Sequence, residues 1–381
     1  MRNIKEIVID GVNLEIILNK HEKWLKHEKG GERAKLDNTD LSDVDLSGVN
    51  LYKASLYKTN LSCADLTDAD LSYADLTDAD LSCADLSYTN LKYAYLKDAN
   101  LKYANLTYAN LSYANLSYAN LSCVSLIEAS LNNVNLSHSN LGSANLYLAN
   151  LNRASLRYAN LNHADLSRAN LSSADLYNAD LQYANLSDTN LTDANLRGAD
   201  LSDSDLSNAN LRCANLTRSK LGCVILYYAD LTNANLRGAD LSDANLSHAN
   251  LMGANLNLTV LNNVKYDEYT AFFNLQCPEE GSFIGYKKAE GKIVKLLITE
   301  DAKRSNATTR KCRCSKAKVL SITNKENTKE YHKVDSDYDK DFVYKVGEIV
   351  EVKDFDEDRW KECSTGIHFF LTRDEAVKYQ N

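Results

Sequence analysis

The chain has 381 residues, of which 44% are hydrophobic and 25% charged, and a net charge of −9. That composition excludes a disordered chain, and no apolar run approaches the roughly 18 residues that a membrane-crossing helix needs. Charge is uneven, at +2 for residues 1–35 (8 basic, 6 acidic), −10 for 36–265 (14 basic, 24 acidic) and −1 for 266–381 (21 basic, 22 acidic), so the acidic middle argues against unspecific nucleic-acid binding there.

Residues 1–35 read as an N-terminal helical cap. Over residues 14–25, Leu14, Ile17, Leu18, His21, Trp24 and Leu25 share one helical face. Asn13 can cap its start, and Gly30-Gly31 stops it. His21 and Trp24 are expected to pack within this cap. The first twenty residues carry no secretory core with a small-residue cleavage site. Nine cysteines, an odd number, are then expected as reduced thiols in a cytoplasm.

Residues 36–265 are a repeat. Leucine stands at every fifth position from Leu36 to Leu261, 46 times without a miss. Two residues before each Leu the side chain is small, mostly Ala, otherwise Thr, Val or Ser. Asp or Asn usually comes just before the Leu. A period of five turns about 140° per step on an α-helix and alternates faces on a strand, so neither element keeps the leucines together. A path that turns once per unit does, which predicts a solenoid with a continuous apolar column. The segment Leu61-Ser62-Cys63-Ala64-Asp65 recurs 20 residues later at Leu81–Asp85, so four units are expected to close one coil.

Units such as Ala64-Asp65-Leu66-Thr67-Asp68 and Ala114-Asn115-Leu116-Ser117-Tyr118 resemble the pentapeptide repeat family. The resemblance covers about 60% of the chain. It implies a mainly β fold, a right-handed quadrilateral β-helix with Leu and the small residue pointing inward, here of about 11.5 coils. At about 4.8 Å per coil its length is about 55 Å. His21-Glu22-Lys23-Trp24-Leu25 and Gly31–Leu36 resemble the lead-in of bacterial and phage members.

Residues 266–381 break the period, and all seven Phe lie after residue 271. This part reads as a small α+β domain. Ile293–Ile298, Ala317–Ile322, Glu348–Val352 and Gly366–Leu371 are expected strands. Thr372-Arg373-Asp374-Glu375 is a capping box opening a short helix through Tyr379. Residues 324–341 are polar and are expected to form a mobile loop. Ala302-Lys303-Arg304, Arg310–Cys314, and Arg359-Trp360 with Gly366–Phe370 resemble an uncharacterised domain that accompanies pentapeptide repeats in bacteria and phages.

Five candidate sites follow. Lys303, Arg304, Arg310, Lys311, Arg313, Lys316 and Lys318 lie within 16 residues with no acid among them. They suit phosphate or nucleic-acid binding, or a solvated strand face. Cys277, Cys312, Cys314, Cys363, His332 and His368 are metal-ligand types, but a single Cys-x-Cys is explained by packing, and no metal or cofactor is expected. Gly366–Tyr379 is similar to a strand–helix element of ADP-ribosyltransferases, with His368 where that family has Tyr and no catalytic Glu motif after it. No catalytic residue is therefore expected, and the chain is read as a non-enzyme. Tyr73, Tyr93 and Tyr113 share one column, flanked by Tyr88, Tyr103, Tyr108 and Tyr118. A structural ladder explains them, and an exposed tyrosine patch also suits a protein partner.

The fifth candidate is duplex-DNA mimicry, which some pentapeptide repeat proteins use against DNA gyrase. Asp40, Asp43, Asp45, Asp80, Asp85, Asp200, Asp203, Asp205, Asp240 and Asp243 line neighbouring columns. A 55 Å duplex carries roughly 32 phosphate charges, far above the rod's net charge, so gyrase is a possible but unfavoured partner. The reading is a monomeric, non-catalytic scaffold that binds an unidentified protein and no membrane.

Overall fold

Where the five backbone N–H groups of each repeat unit go decides the path of the chain. The computed structural model describes residues 2, 4–273, 277–339, 342–361 and 364–379. In the unit Leu61–Asp65, the Leu61 N–H donates to the Asp80 carbonyl at 2.6 Å and Cys63 to Ser82 at 2.8 Å. Asp65 donates backward to Val44 at 2.9 Å, and Ala64 closes a turn on the Leu61 carbonyl at 3.1 Å. The fifth amide, Ser62, has no backbone acceptor in this pattern and donates to the Asn60 side-chain oxygen at 3.1 Å.

This accounting explains the sequence rule. Asp or Asn precedes Leu because its side-chain oxygen satisfies the one amide that the ladder between coils leaves over. Asn adds a second bond along the column, as in Asn135 Nδ2 to Asn115 Oδ1 at 3.1 Å. Parallel bridges join residues twenty apart, such as Asp45 to Asp65 and Asp65 to Asp85. Every column leucine from Leu36 to Leu256 is no more than 1% exposed. With all five amides committed, a proline would delete a bond at any position. The residue two after each Leu has positive φ, for example +56° at Cys63 and +58° at Tyr73. That conformation closes each turn tightly and throws this side chain outward from the corner.

The structure divides into two units, Met1–Ala249 with Thr259–Tyr269, and Asn250–Leu258 with Thr270–Asn381. In the first, β1 (Val8–Ile9) and β2 (Val12–Asn13) form an antiparallel pair that the sequence does not announce, and lead into α1 (Leu14–Leu25). Asn13 caps α1, its side-chain oxygen accepting from the Glu15 N–H at 2.8 Å. His21 is fully buried, stacks on Trp24 at 5.4 Å, and its Nδ1 accepts from the Ala34 N–H at 3.1 Å. The glycine pair does not stop the helix, which ends at Leu25, before Gly30. Gly31 instead lets the chain fold back, because a Cβ there would lie 2.3 Å from the Trp24 nitrogen.

The second unit carries β3 (Phe283–Ala289), β4 (Lys292–Ile298), β5 (Arg304–Asn306), β6 (Cys312–Cys314), β7 (Lys316–Thr323), β8 (Lys333–Asp335), β9 (Val343–Lys345), β10 (Ile349–Glu351), β11 (Ile367–Phe369) and α2 (Arg373–Lys378). The sheets are antiparallel, in the orders β10-β7-β4-β3, β11-β6-β5 and β8-β9. The four expected strands and the Thr372/Glu375 capping box are present. The expected mobile loop is corrected in part, because β8 lies inside it and pairs with β9. Residues 340 and 341 lie outside the described residues. Gly285 on β3 is required by close approach, since a Cβ would lie 2.5 Å from the Phe369 ring.

Candidate binding surfaces

The tyrosines occupy the outward, positive-φ corner of the repeat, so those twenty apart meet ring to ring. Tyr73 stacks on Tyr93 at 4.8 Å and Tyr93 on Tyr113 at 4.9 Å, with interplanar angles of 20° and 17°. Tyr88 stacks on Tyr108 at 5.0 Å, and the Tyr108 hydroxyl donates to Glu128 at 3.2 Å. Tyr73, Tyr88, Tyr103, Tyr108, Tyr113 and Tyr118 are all exposed, while Tyr93 is half-buried between its neighbours. The columns run further than the tyrosine pattern suggests because histidine substitutes in them. Tyr118, His138 and Tyr158 stack at 4.8 and 4.9 Å, and His163 stacks on Tyr183 at 4.9 Å. Cys63 and Cys83 occupy the same corner as free, exposed thiols.

The aspartates fall into two kinds. Asp40, Asp45, Asp80, Asp85, Asp200, Asp205 and Asp240 precede a Leu, and each accepts the N–H two residues on. Asp80 and Asp85 also accept Asn100 and Asn105 from the next coil at 2.9 and 3.0 Å. Asp43, Asp203 and Asp243 stand at the corners with positive φ. Most of the acidic face therefore serves the scaffold through one carboxylate oxygen, Oδ1, of each aspartate before Leu.

The fold disperses the basic stretch, and Arg304 and Arg313 are turned inward onto backbone carbonyls. Arg313 is 1% exposed and gives its guanidinium to the carbonyls of Asp356, Asp358 and Thr365 at 3.1, 2.9 and 3.0 Å. Arg304 is tied to the carbonyls of Pro278, Gly281 and Thr299 at 3.0, 2.5 and 2.9 Å. Lys303 pairs with Glu357, Arg310 with Glu375 at 3.0 Å, and Lys316 with Asp301 at 2.5 Å. Lys311 lies over the Tyr379 ring at 5.7 Å, and Lys318 is exposed. Acids remote in sequence thus pair with three of the seven, Lys303, Arg310 and Lys316.

Cys312 and Cys314 are buried in β6 beside buried Cys277, and burial pushes the Cys314 thiol up to about 12. Among the described residues no group of three or more His, Cys, Asp or Glu side chains is placed to hold a metal ion. Cys363 lies outside the described residues. His368 sits in β11 opposite Arg313. The second unit also contains an open-mouthed cavity of about 690 Å³. Its deep lysine, Lys287, is one that the sequence reading passed over, although Gly285, Lys287 and Ala289 share the core-facing phase of β3.

Eight copies of the pentapeptide repeat family profile match, together spanning most of residues 32–264. Residues 273–376 match a family of unknown function, DUF5758. HetL, a pentapeptide repeat protein involved in heterocyst differentiation regulation from the cyanobacterium Nostoc sp. strain PCC 7120, is 30% identical over 64% of this chain and 93% of its own, with a TM-score of 0.26. Rfr23, from the cyanobacterium Cyanothece 51142, is 40% identical over 24% and 61%, with a TM-score of 0.24. QnrB1, a plasmid-mediated fluoroquinolone resistance protein, is 18% identical over 43% and 86%, with a TM-score of 0.26. These superpositions are poor, so the family rests on the repeats. No curated protein matches. Among the described residues no helix is long and apolar enough to cross a membrane.

Proposed function

Because the chain belongs to the pentapeptide repeat proteins, we propose that it is a non-catalytic scaffold that recognises a protein partner through the tyrosine-bearing face of its solenoid. The stacked rings of Tyr73, Tyr93 and Tyr113, exposed at Tyr73 and Tyr113, beside the exposed Tyr88 and Tyr108 carry this reading. Stacking fixes the rings before any partner arrives, so burying them costs little side-chain entropy. Tyrosine also offers apolar area and a hydroxyl at low conformational cost. The proposal includes a right-handed solenoid of about 11.5 coils over residues 36–265, with residues 1–35 and 266–381 as flanking domains, in a cytoplasmic monomer.

The full-length chain with Tyr73, Tyr88, Tyr108 and Tyr113 changed to Ser tests this. The quadruple variant is expected to keep its β-sheet circular dichroism and to lose the proteins that the wild type retains from a bacterial lysate. Unchanged retention refutes the tyrosine face. Gyrase mimicry is the less favoured reading, since the aspartates before Leu are engaged within the scaffold. It requires that micromolar protein inhibit gyrase supercoiling.

A further inference from the structure

The second unit carries a feature that protein scaffolding does not need. Its cavity of about 690 Å³ is within the range of small-molecule sites. At its floor lies Lys287, only 8% exposed, in the middle of β3 and in register with Val294 of β4. Its neighbours in the inward row of that strand are Gly285 and Ala289, so these small residues leave room for a long side chain. Its ammonium lies 5.8 Å from the centre of the buried Tyr344 ring. Among the described residues no carboxylate comes within ion-pair distance of it and no acceptor takes its protons. A buried, unpaired lysine is costly, and charges are ordinarily buried with a partner.

The walls indicate what that partner is. Lys288, Lys311 and Lys353 line the cavity with Lys287, against the carboxylates of Asp339, Glu351 and Asp354, and Asp337 acts on Lys287 from beyond ion-pair distance. Lys288 donates to the Tyr379 carbonyl at 2.7 Å, and Lys311 lies over the Tyr379 ring. Tyr338, Phe342, Phe370 and Tyr379 give the remaining wall flat apolar faces. We propose that this cavity binds a small anionic aromatic molecule, a planar ring bearing a phosphate or carboxylate, with the anion on Lys287 and the ring among Tyr338, Phe342 and Phe370. Burial also lowers the Lys287 amine to about 8, so it is partly neutral near pH 7.5 and reactive toward aldehydes.

Pyridoxal 5′-phosphate, itself a planar anionic aldehyde, serves as the probe on the full chain. The amine and aldehyde condense with loss of water, and borohydride reduces the imine to a stable secondary amine that peptide mass spectrometry locates. Lys287 is expected to be labelled at least 5-fold above the surface lysines. Excess phenyl phosphate or benzoate is expected to protect it, and the more effective of the two identifies the anion. Phenol is expected to protect weakly. The exposed rim variants Tyr338→Ala and Lys353→Ala are expected to weaken protection severalfold without unfolding the chain. Labelling spread evenly over surface lysines, or Lys287 labelling that neither competitor reduces, overturns the proposal.

Discussion

The solenoid and the C-terminal unit satisfy their polar groups by opposite means. In the solenoid the Asp or Asn before Leu accepts an amide two residues away, and many also bond a side chain twenty away, so every coil repeats the same solution. In the C-terminal unit Arg313 reaches carbonyls more than forty residues along the chain, and Lys303 finds Glu357. Redundancy makes the first region tolerant and the second brittle. A solenoid's stability is close to a sum over coils, whereas a small sheet domain holds or fails as a unit.

The comparison is broken most sharply at Arg313. Arg313→Ala removes a buried guanidinium that serves three carbonyls and opens a gap between β6 and the segment at 356–358, so it is expected to cost about 4 kcal/mol. In denaturant melts followed by tryptophan fluorescence, Trp360 should report early loss of the C-terminal unit while the β-sheet signal of the solenoid persists. Coincident loss of both signals would show that the two regions unfold as one.

Next comes the solenoid column. Leu116→Ala deletes a fully buried side chain, and about 3 kcal/mol is expected from cavity formation. Nearby coils retain their own ladders, so hydrogen exchange should rise in the coils beside residue 116 and stay slow elsewhere. Uniform acceleration along the solenoid would contradict the additive picture.

Lys287 sharpens the contrast through pH. Its folded value, about 8, lies below the ordinary 10.5 because burial disfavours the charged form, with Lys311 adding to the depression and Asp337 opposing it. Below pH 8 both states hold the proton and the folded state bears the full cost. Between about pH 8 and 10.5 the folded chain releases a proton that the unfolded chain keeps, so this group adds stability as pH rises. Cys314, raised to about 12, acts the other way above pH 9. The difference between wild type and Lys287→Met isolates the lysine. The variant is expected to be more stable by about 2 kcal/mol at pH 7, with the gap closing by pH 10.

The smallest expected effect is Asn115→Ala. It removes the acceptor of the Ser117 N–H and the Asn135 side chain, both at 3.1 Å, and about 1 kcal/mol is expected from chemical denaturation.

These contrasts explain how far the sequence could be read. The leucine period, the small residue before it and the 20-residue recurrence fix the solenoid, because each contact that builds it lies one unit or one coil away. The tyrosine columns were legible for the same reason, though their extension through His138 and His163 was hidden by a change of residue type within an unchanged position. The division of the aspartates was legible in principle, since those before Leu and those at the corner differ in phase. The two-residue pair Val8–Ile9 and Val12–Asn13 was not, being too short for any periodicity to register.

In the C-terminal unit the capping box and the longer strands follow from local pattern, so Thr372 with Glu375 and the run Lys292–Ile298 are evident in the residues themselves. What the seven basic residues from Lys303 to Lys318 would do was decided only by tertiary structure. Their partners are carbonyls and carboxylates brought from residues 278–301 and 356–375, and chain separation carries no trace of that approach. Lys287 was not marked as inward facing, because both phases of Phe283–Ala289 mix apolar residues with lysine, and the cavity around it needed three sheets to assemble. The sequence by itself determined a repeating scaffold because its chemistry is periodic and short range. The tertiary structure alone determined which charges remain available, because charge compensation acts through space and not along the chain.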